Sequence, residues 1–344
     1  MAYTSIDDPS AYFQTTIYTG NGSTQSITNG GNSDLEPDFI WIKSRSDSSF
    51  NAWTDSTRGT SKRLYSNSTS GEESHTDRVT AFNSDGFSLG GSSLVNTNTY
   101  NYVAWQWKAN GGTTAANSDG SLASVVQADT TAGFSIVTWT GAGGARTVGH
   151  GLGVAPDVII VKNRSTSTQW GVWHKDLADT DNNLRINGTG AEVDDALWND
   201  TVPTSSVFSI SSAAEVSNDC VAYCFAEKQG YSKFGGYTGN GNVNGPFVYT
   251  GFKPAFVLVK SSSATHNWHI LDNKRDPENV VDKYLNPDNA ASEATFTFGD
   301  FLSNGFKWRS SSGTSFNESG TSYIYMAFAE SPFVTSTGVP CTAR

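Results

Sequence analysis

Charge is scarce in this chain. Lysine and arginine number 22 against 33 aspartates and glutamates, so charged residues make up 16% of the 344 positions and the net charge is −11. A groove for nucleic acid needs a basic surface, and the longest basic cluster, Ser61-Lys62-Arg63, is too small to supply one. Cysteine is equally sparse, with three residues. Cys220 and Cys224 lie four apart on a predicted strand, about 13 Å from each other at strand rise, too far for a mutual disulfide. They read as small core residues, and Cys341 belongs to a polar tail. No zinc-type cysteine spacing is present. No apolar run approaches the 18 residues or so that a membrane helix needs, so no membrane insertion is expected. The beginning of the chain lacks a basic stretch followed by an apolar one, so no secretory leader is expected.

What the chain has in abundance is aromatic residues and turn formers. Ten tryptophans, 13 tyrosines, 19 phenylalanines and 34 glycines, on a surface of serine, threonine and asparagine, point to an ordered all-β protein. One stretch organises the rest. It occurs as Pro37-Asp38-Phe39-Ile40-Trp41-Ile42-Lys43, as Pro156-Asp157-Val158-Ile159-Ile160-Val161-Lys162 and as Pro254-Ala255-Phe256-Val257-Leu258-Val259-Lys260. A turn proline, four consecutive apolar residues and a closing lysine predict a strand buried on both faces and ended by a solvated charge.

The flanks repeat as well. Thr-Gly precedes each copy, at Thr19-Gly20, Thr140-Gly141 and Thr238-Gly239. Tryptophans and aspartates follow, which we align as Trp53 with Asp55, Trp173 with Asp176, and Trp268 with Asp272. Leu64 with Asn67, Leu184 with Asn187 and Leu285 with Asn286 come next. Each unit closes on an aromatic strand, beginning at Tyr102, Cys220 and Tyr323. Landmarks in the same order three times define an internal repeat. The predicted fold class is therefore all-β, with three tandem antiparallel β-sandwich modules, jelly-roll-like, behind a short N-terminal arm. The boundaries are 1–16 for the arm, 17–108 for module one, 109–133 for a linker, 134–227 for module two, 234–330 for module three and 331–344 for a tail. The linker opens on the flexible Asn110-Gly111-Gly112-Thr113-Thr114 and continues into a strand-like piece, Leu122-Ala123-Ser124-Val125-Val126, expected to pair with module two or to line a subunit contact. Module one is expected to hold strands at 15–19, 38–43, 50–54, 63–66, 78–82, 86–89 and 100–107, with Asn83-Ser84-Asp85-Gly86 as a tight reversal. Asp8 caps a short turn that opens at Pro9, and Pro277 suits the start of a short helix running towards Tyr284.

Candidate chemistry is thin. The adjacent carboxylates Asp194-Asp195 and Glu72-Glu73 point apart on an extended chain, whereas a glycosidase needs two carboxyls about 5–10 Å apart in a cleft. The repeated Asp55, Asp176 and Asp272 read as structural. Asp179-Thr180-Asp181-Asn182-Asn183 starts like a calcium loop but has Leu184 at the sixth place and Gly190 at the twelfth. The glycine-dense Val148-Gly149-His150-Gly151-Leu152-Gly153-Val154 lacks the Lys-Ser/Thr ending of a phosphate loop. No catalytic residue, metal or cofactor is expected. Most sandwich tryptophans are core, but Trp170 and Trp268 adjoin polar loops. With Trp173, His174 and His269 they form the candidate glycan-stacking set, and Tyr12 and Phe13 of the arm are candidates for attachment to a partner, with docking on module one as the plain alternative.

The segments Gly133-Phe134-Ser135-Ile136-Val137-Thr138-Trp139-Thr140-Gly141 and Val148 to Arg164-Ser165, with Asn117-Ser118-Asp119-Gly120-Ser121-Leu122 and the opening from Ile6 to Thr15, resemble a repeat module of marine-bacteriophage virion proteins, tail fibres among them. The resemblance covers most of the chain and carries no binding residue with it. It implies a virion component, made in the host cytoplasm and released by lysis, whose partners are other virion proteins and host-surface glycan. Such proteins form symmetric oligomers, so a trimer or higher ring is expected. A head or neck decoration protein and a surface polysaccharide depolymerase are the alternatives.

Overall fold

The computed structural model describes residues 2–211, 218–311 and 315–341. The chain is nearly all β, in antiparallel sheets. Each module contains the same four-stranded inner sheet, ordered opening, closing, shared, return. The opening strands are Phe13–Thr19, Phe134–Thr140 and Ser232–Thr238. The closing strands are Asn101–Trp107, Asp219–Phe225 and Ser322–Pro332. The shared strands are Phe39–Ser44, Val158–Asn163 and Phe252–Ser261. The return strands are Ala52–Asp55, Gly171–His174 and His269–Asp272. A smaller outer sheet covers one face of each. In module one it holds Gln25–Ile27, Gly86–Leu89 and Val79–Asn83. The expected reversal is there: Gly86 has φ +104°, and a Cβ at that position would run into the carbonyl of Ile27.

The alternation along each inner strand explains the apolar runs. Ile40, Ile42, Tyr102 and Ala104 face module one's own core. Ile159, Val161, Cys220, Ala222 and Cys224 do the same in module two, and Val257, Val259, Tyr323, Tyr325 and Ala327 in module three. The other face of every inner sheet enters one common core with residues from all three modules. Trp107, Phe225 and Phe328 hold the same place opposite Phe39, Val158 and Phe256. Their ring centroids form a triangle with sides of 6.3, 6.0 and 5.6 Å. The modules are therefore not beads on a string. Their inner sheets close around an axis of approximate threefold symmetry within one polypeptide, so further copies of the chain are not needed to complete it.

Two expectations hold in part and one fails. Residues 109–133 are linker only in part: the strand-like piece expected from Leu122 to Val126 lies at Ser124–Asp129 and pairs with module two's Phe134–Thr140, the first of its two expected roles, and Ala115–Asn117 extends the same sheet beyond it. The helix expected after Pro277 is absent, because Asp276 Oδ2 gathers the amides of Asp282 (2.8 Å) and Lys283 (2.5 Å) and leads the chain into the strand Val281–Tyr284. The arm does start as expected, with Asp8 accepting from Ser10 N at 3.0 Å ahead of a 3-10 turn at Pro9–Ala11. It does not project outward, and its contacts go beyond module one. Ile6 and Phe13 are buried in the central core, Phe13 stacks on Phe328 at 5.1 Å, and Tyr3 donates to Gly251 O at 2.8 Å. The arm thereby ties the first module to the last.

Candidate functional site

The three seams between modules are the most elaborate polar constructions in the molecule. At each one, the return strand and following loop of one module meet the shared and closing strands of the next: one against two, two against three, three against one. Register assigns the equivalents. Asp55, His174 and Asp272 lie opposite Phe39, Val158 and Phe256. Asp176 is thus not the partner of Asp55, and His174 takes that place. By the same register Trp53 corresponds to Val172 and Ile270, while Trp170 and Trp268 correspond to Asn51.

The closing lysines of the shared strands are not solvated. Lys43, Lys162 and Lys260 are buried. Each donates to a backbone carbonyl in a loop of the neighbouring module, Ala290 O at 3.0 Å, Thr69 O at 3.1 Å and Thr189 O at 3.1 Å, and each acceptor lies five residues beyond a central-core leucine. Burial pushes each ammonium down to about 8, which leaves it charged at neutral pH. A second clasp runs alongside. Asn51 Nδ2 donates to Asn286 O at 3.1 Å, Trp170 Nε1 to Tyr65 O at 3.0 Å and Trp268 Nε1 to Arg185 O at 2.9 Å. An amide and two indoles do one job, because each carries an N–H at the end of a flat side chain.

Two seams add a buried ionic cluster. Between modules one and two, Arg58 Nε donates to Asp55 Oδ2 at 2.5 Å and Arg58 Nη1 to Glu72 Oε2 at 2.9 Å. Arg164 grips Glu72 through two bonds of 2.9 Å, and Tyr223 OH donates to Asp55 Oδ2 at 2.8 Å. Between three and one, Asp272, Arg275, Glu293 and Arg45 repeat the pattern, with Trp105 Nε1 donating to Asp272 Oδ2 at 3.0 Å. Burial opposes the charge on Arg58, but Asp55, Tyr223 and Glu72 outweigh it and hold that guanidinium above its ordinary range. For Glu72 the desolvation cost is likewise overcome by Arg164 and Arg58, which hold the carboxyl low.

The seam between two and three has lost this cluster. His174, Leu177 and Ser262 stand at the places of Asp, Arg and Arg, and only Glu192 remains of the four. The backbone clamp survives: Glu192 N donates to Ser262 O at 2.7 Å, as Glu72 N does to Arg164 O. The Glu192 carboxylate turns to Ala178 N and Asn182 Nδ2, at 2.8 and 3.0 Å. Burial pushes His174 down to about 3, so the ring is neutral, with Nε2 3.3 Å from Tyr325 O and Nδ1 accepting from Asp176 N at 3.1 Å.

The candidate glycan set does not assemble into a platform. Trp170, Trp173, His174, Trp268 and His269 are between 0 and 6% exposed, so none offers a ring face to a sugar. Trp170 and Trp268 are seam clasps. Trp173 packs in module two's core and donates to Thr180 O at 3.1 Å, and His269 is enclosed by Tyr284, Phe298 and Phe316. Phe13 is spent in the central core, while Tyr12 lies half-buried against Tyr231 at 6.0 Å. Proximity to a polar loop was a poor guide to exposure, because the loops meet one another across the seams. The lysines were the overlooked residues. Their threefold recurrence after a buried strand was the available signal, since a merely solvated charge has no reason to recur. Asp181 Oδ1 accepts from Trp198 N at 3.0 Å, and no group of three His, Cys, Asp or Glu is placed to hold a metal among the described residues. No helix among them is long and apolar enough to cross a membrane. The arrangement as a whole locks modules together.

Comparison with curated proteins finds no match. A family model described as a domain of unknown function, DUF7483, matches residues 8–332, through the arm and all three modules, and the chain belongs to that family.

Proposed function

We propose that this chain is a structural protein of a bacteriophage particle, a fibre or tail appendage that contributes to attachment at the host surface. The observation that carries the reading is the closed ring of three equivalent modules. The related virion proteins are expected to form symmetric oligomers, a trimer or higher ring, and a single chain with an approximate threefold of its own is suited to cap or join a threefold assembly. The sequence resemblance to virion repeat modules supports the same reading, as does a surface poor in charge. Contact with host glycan falls to exposed loops and edges, since the five tryptophans and histidines first considered are occupied inside the molecule. Its partners are other virion proteins.

Two measurements test this. Mass spectrometry and labelled imaging of purified particles are expected to find the protein on the tail. Excess purified protein is expected to slow adsorption of those particles to host cells. Protein absent from particles overturns the proposal. Protein found on the head, with no effect on adsorption, replaces it with the decoration reading.

A further inference from the structure

Module two's opening strand, Phe134–Thr140, is paired on both sides, by the closing strand and by Ser124–Asp129. The equivalent strand of module one, Phe13–Thr19, is paired on one side only, by Asn101–Trp107. Its free side can be identified. Gly20 N donates to Tyr100 O at 2.8 Å and Lys108 N to Tyr12 O at 3.0 Å, so Tyr12, Gln14, Thr16, Tyr18 and Gly20 point their backbone groups into the ladder. Those of Thr15 and Ile17 point outward, and no backbone hydrogen bond engages them among the described residues. Proteins usually protect such an edge with charge, proline or a covering segment. Phe-Gln-Thr-Thr-Ile-Tyr-Thr has neither charge nor proline; Phe13, Gln14 and Thr15 are buried, and Ile17 beyond them is 45% exposed.

The covered edge shows what a bound strand does. Gln127, fully buried on Ser124–Asp129, reaches across the seam between modules one and two. Its Nε2 donates to Ser56 Oγ and Thr57 Oγ1, both at 2.8 Å, and its Oε1 accepts from Gly112 N at 2.6 Å. At the seam between three and one, the residues that follow Asp272 as Ser56 and Thr57 follow Asp55 are Asn273 and Lys274. Both line a cleft of about 180 Å³, together with Gln14, Thr15, Gly31 and Glu330. Asn273 Oδ1 and Thr15 Oγ1 are buried there without a hydrogen-bond partner. The surrounding loop agrees. A Cβ on Gly149, seven residues before Pro156, would meet Asn117 of the added hairpin, whereas one on Gly30, seven before Pro37, would meet nothing within 4 Å.

We propose that the free edge of Phe13–Thr19 accepts an antiparallel strand from a partner polypeptide, whose carboxamide side chain seats in the cleft between modules three and one. The occupant alternates small residues on one face with a glutamine or asparagine on the other, as Ser124, Val126 and Ala128 alternate with Gln127. Main-chain bonds supply the affinity of such an added strand and the side-chain seats supply its selectivity. The chain's own hairpin of this kind is held in module two, and the partner's strand takes the corresponding place in module one. This holds whether or not the protein belongs to a virion.

The test uses the full chain and a labelled peptide with the sequence of residues 115–129. Saturable binding is expected by fluorescence anisotropy, with slowed hydrogen exchange at the amides of Thr15 and Ile17. Ile17→Pro removes an outward N–H without touching the ladder and is expected to weaken binding by roughly tenfold or more, a loss worth about one backbone hydrogen bond. Ile17→Val is expected to bind as the parent does, and Gln127→Ala in the peptide to bind less tightly. The proposal is overturned if saturating peptide leaves residues 15–17 unprotected or if Ile17→Pro binds equally well. It is also overturned if the peptide instead displaces the chain's own 124–129 strand, or if the unliganded protein self-associates through Ile17, which would make the occupant a second copy.

Discussion

Two single residues depart from their counterparts in the other modules, and each departure has a measurable consequence. Asp288 accepts from Trp268 N at 3.1 Å, where Asn67 and Asn187 accept the matching bonds from Asn51 N and Trp170 N. Burial pushes the Asp288 carboxyl up to about 6, and its Oδ2 has no partner. An acid whose folded value is raised costs stability that accumulates as pH climbs from the unfolded value of 3.8 through 6. Asp288→Asn is therefore expected to stabilise the protein at pH 7 by roughly 1–3 kcal/mol, at about 1.4 kcal/mol per pKa unit. The gain should vanish below pH 4, and urea titrations at both pH values check it. His174 runs the other way. Its folded value of about 3 lies below the unfolded 6.5, so the unfolded chain binds the extra proton in that window. Its stability contribution is complete above pH 6.5 and fades as pH falls towards 3, and buried His269, also pushed down to about 3, adds a second such loss. The two histidine losses outweigh the gain from protonating Asp288 in the same window, so denaturation midpoints are expected to drop between pH 6 and 4.5, and His174→Asn to remove most of that drop.

At the scale of elements, the seams show one job done with different chemistry. Arg58 is fully buried among Asp55, Glu72 and Tyr223, so Arg58→Leu leaves carboxylates desolvated without their cation and is expected to cost about 3–5 kcal/mol. The seam between modules two and three shows how the chain compensates, with His174 and Leu177 side by side where Asp and Arg would stand. Adding Asp55→His to Arg58→Leu is expected to recover part of the loss, which a double-mutant cycle by chemical denaturation would read as coupling. Trp170→Phe keeps the ring but removes the N–H that serves Tyr65 O and Ser68 O. It is expected to cost about 1–2 kcal/mol and to leave adsorption competition unchanged. A fall in adsorption at unchanged stability would restore Trp170 as a sugar contact.

The whole molecule behaves as one body rather than three. Every inner sheet has one face in the common core, so a module alone would expose the row that includes Phe39, Trp41, Val103, Trp105 and Trp107. Calorimetry is expected to show one cooperative unfolding transition, and a fragment of residues 17–108 is expected to aggregate or remain unfolded. Three separate transitions would mean that the seams contribute little. The arm belongs to this scale too, since Ile6 and Phe13 close the core between the first module and the last.

Strand positions were legible residue by residue, because period-two burial and turn glycines act locally: Val79–Asn83, Gly86–Leu89 and Asn101–Trp107 lie within a residue or so of their expected places. So was the threefold repeat, and so was the burial of the shared strand on both faces. What lay against the second face was not legible, since an apolar run is the same whether a sandwich partner or a neighbouring module covers it. The seam therefore stayed hidden, and with it the roles of Lys43, Lys162, Lys260, Trp170 and Trp268. Their partners lie some 70 to 250 residues away in the chain. Local pattern determined which residues form strands and which of them repeat. Closure of the ring alone decided which polar side chains would lose water, because desolvation depends on what the rest of the chain brings into contact.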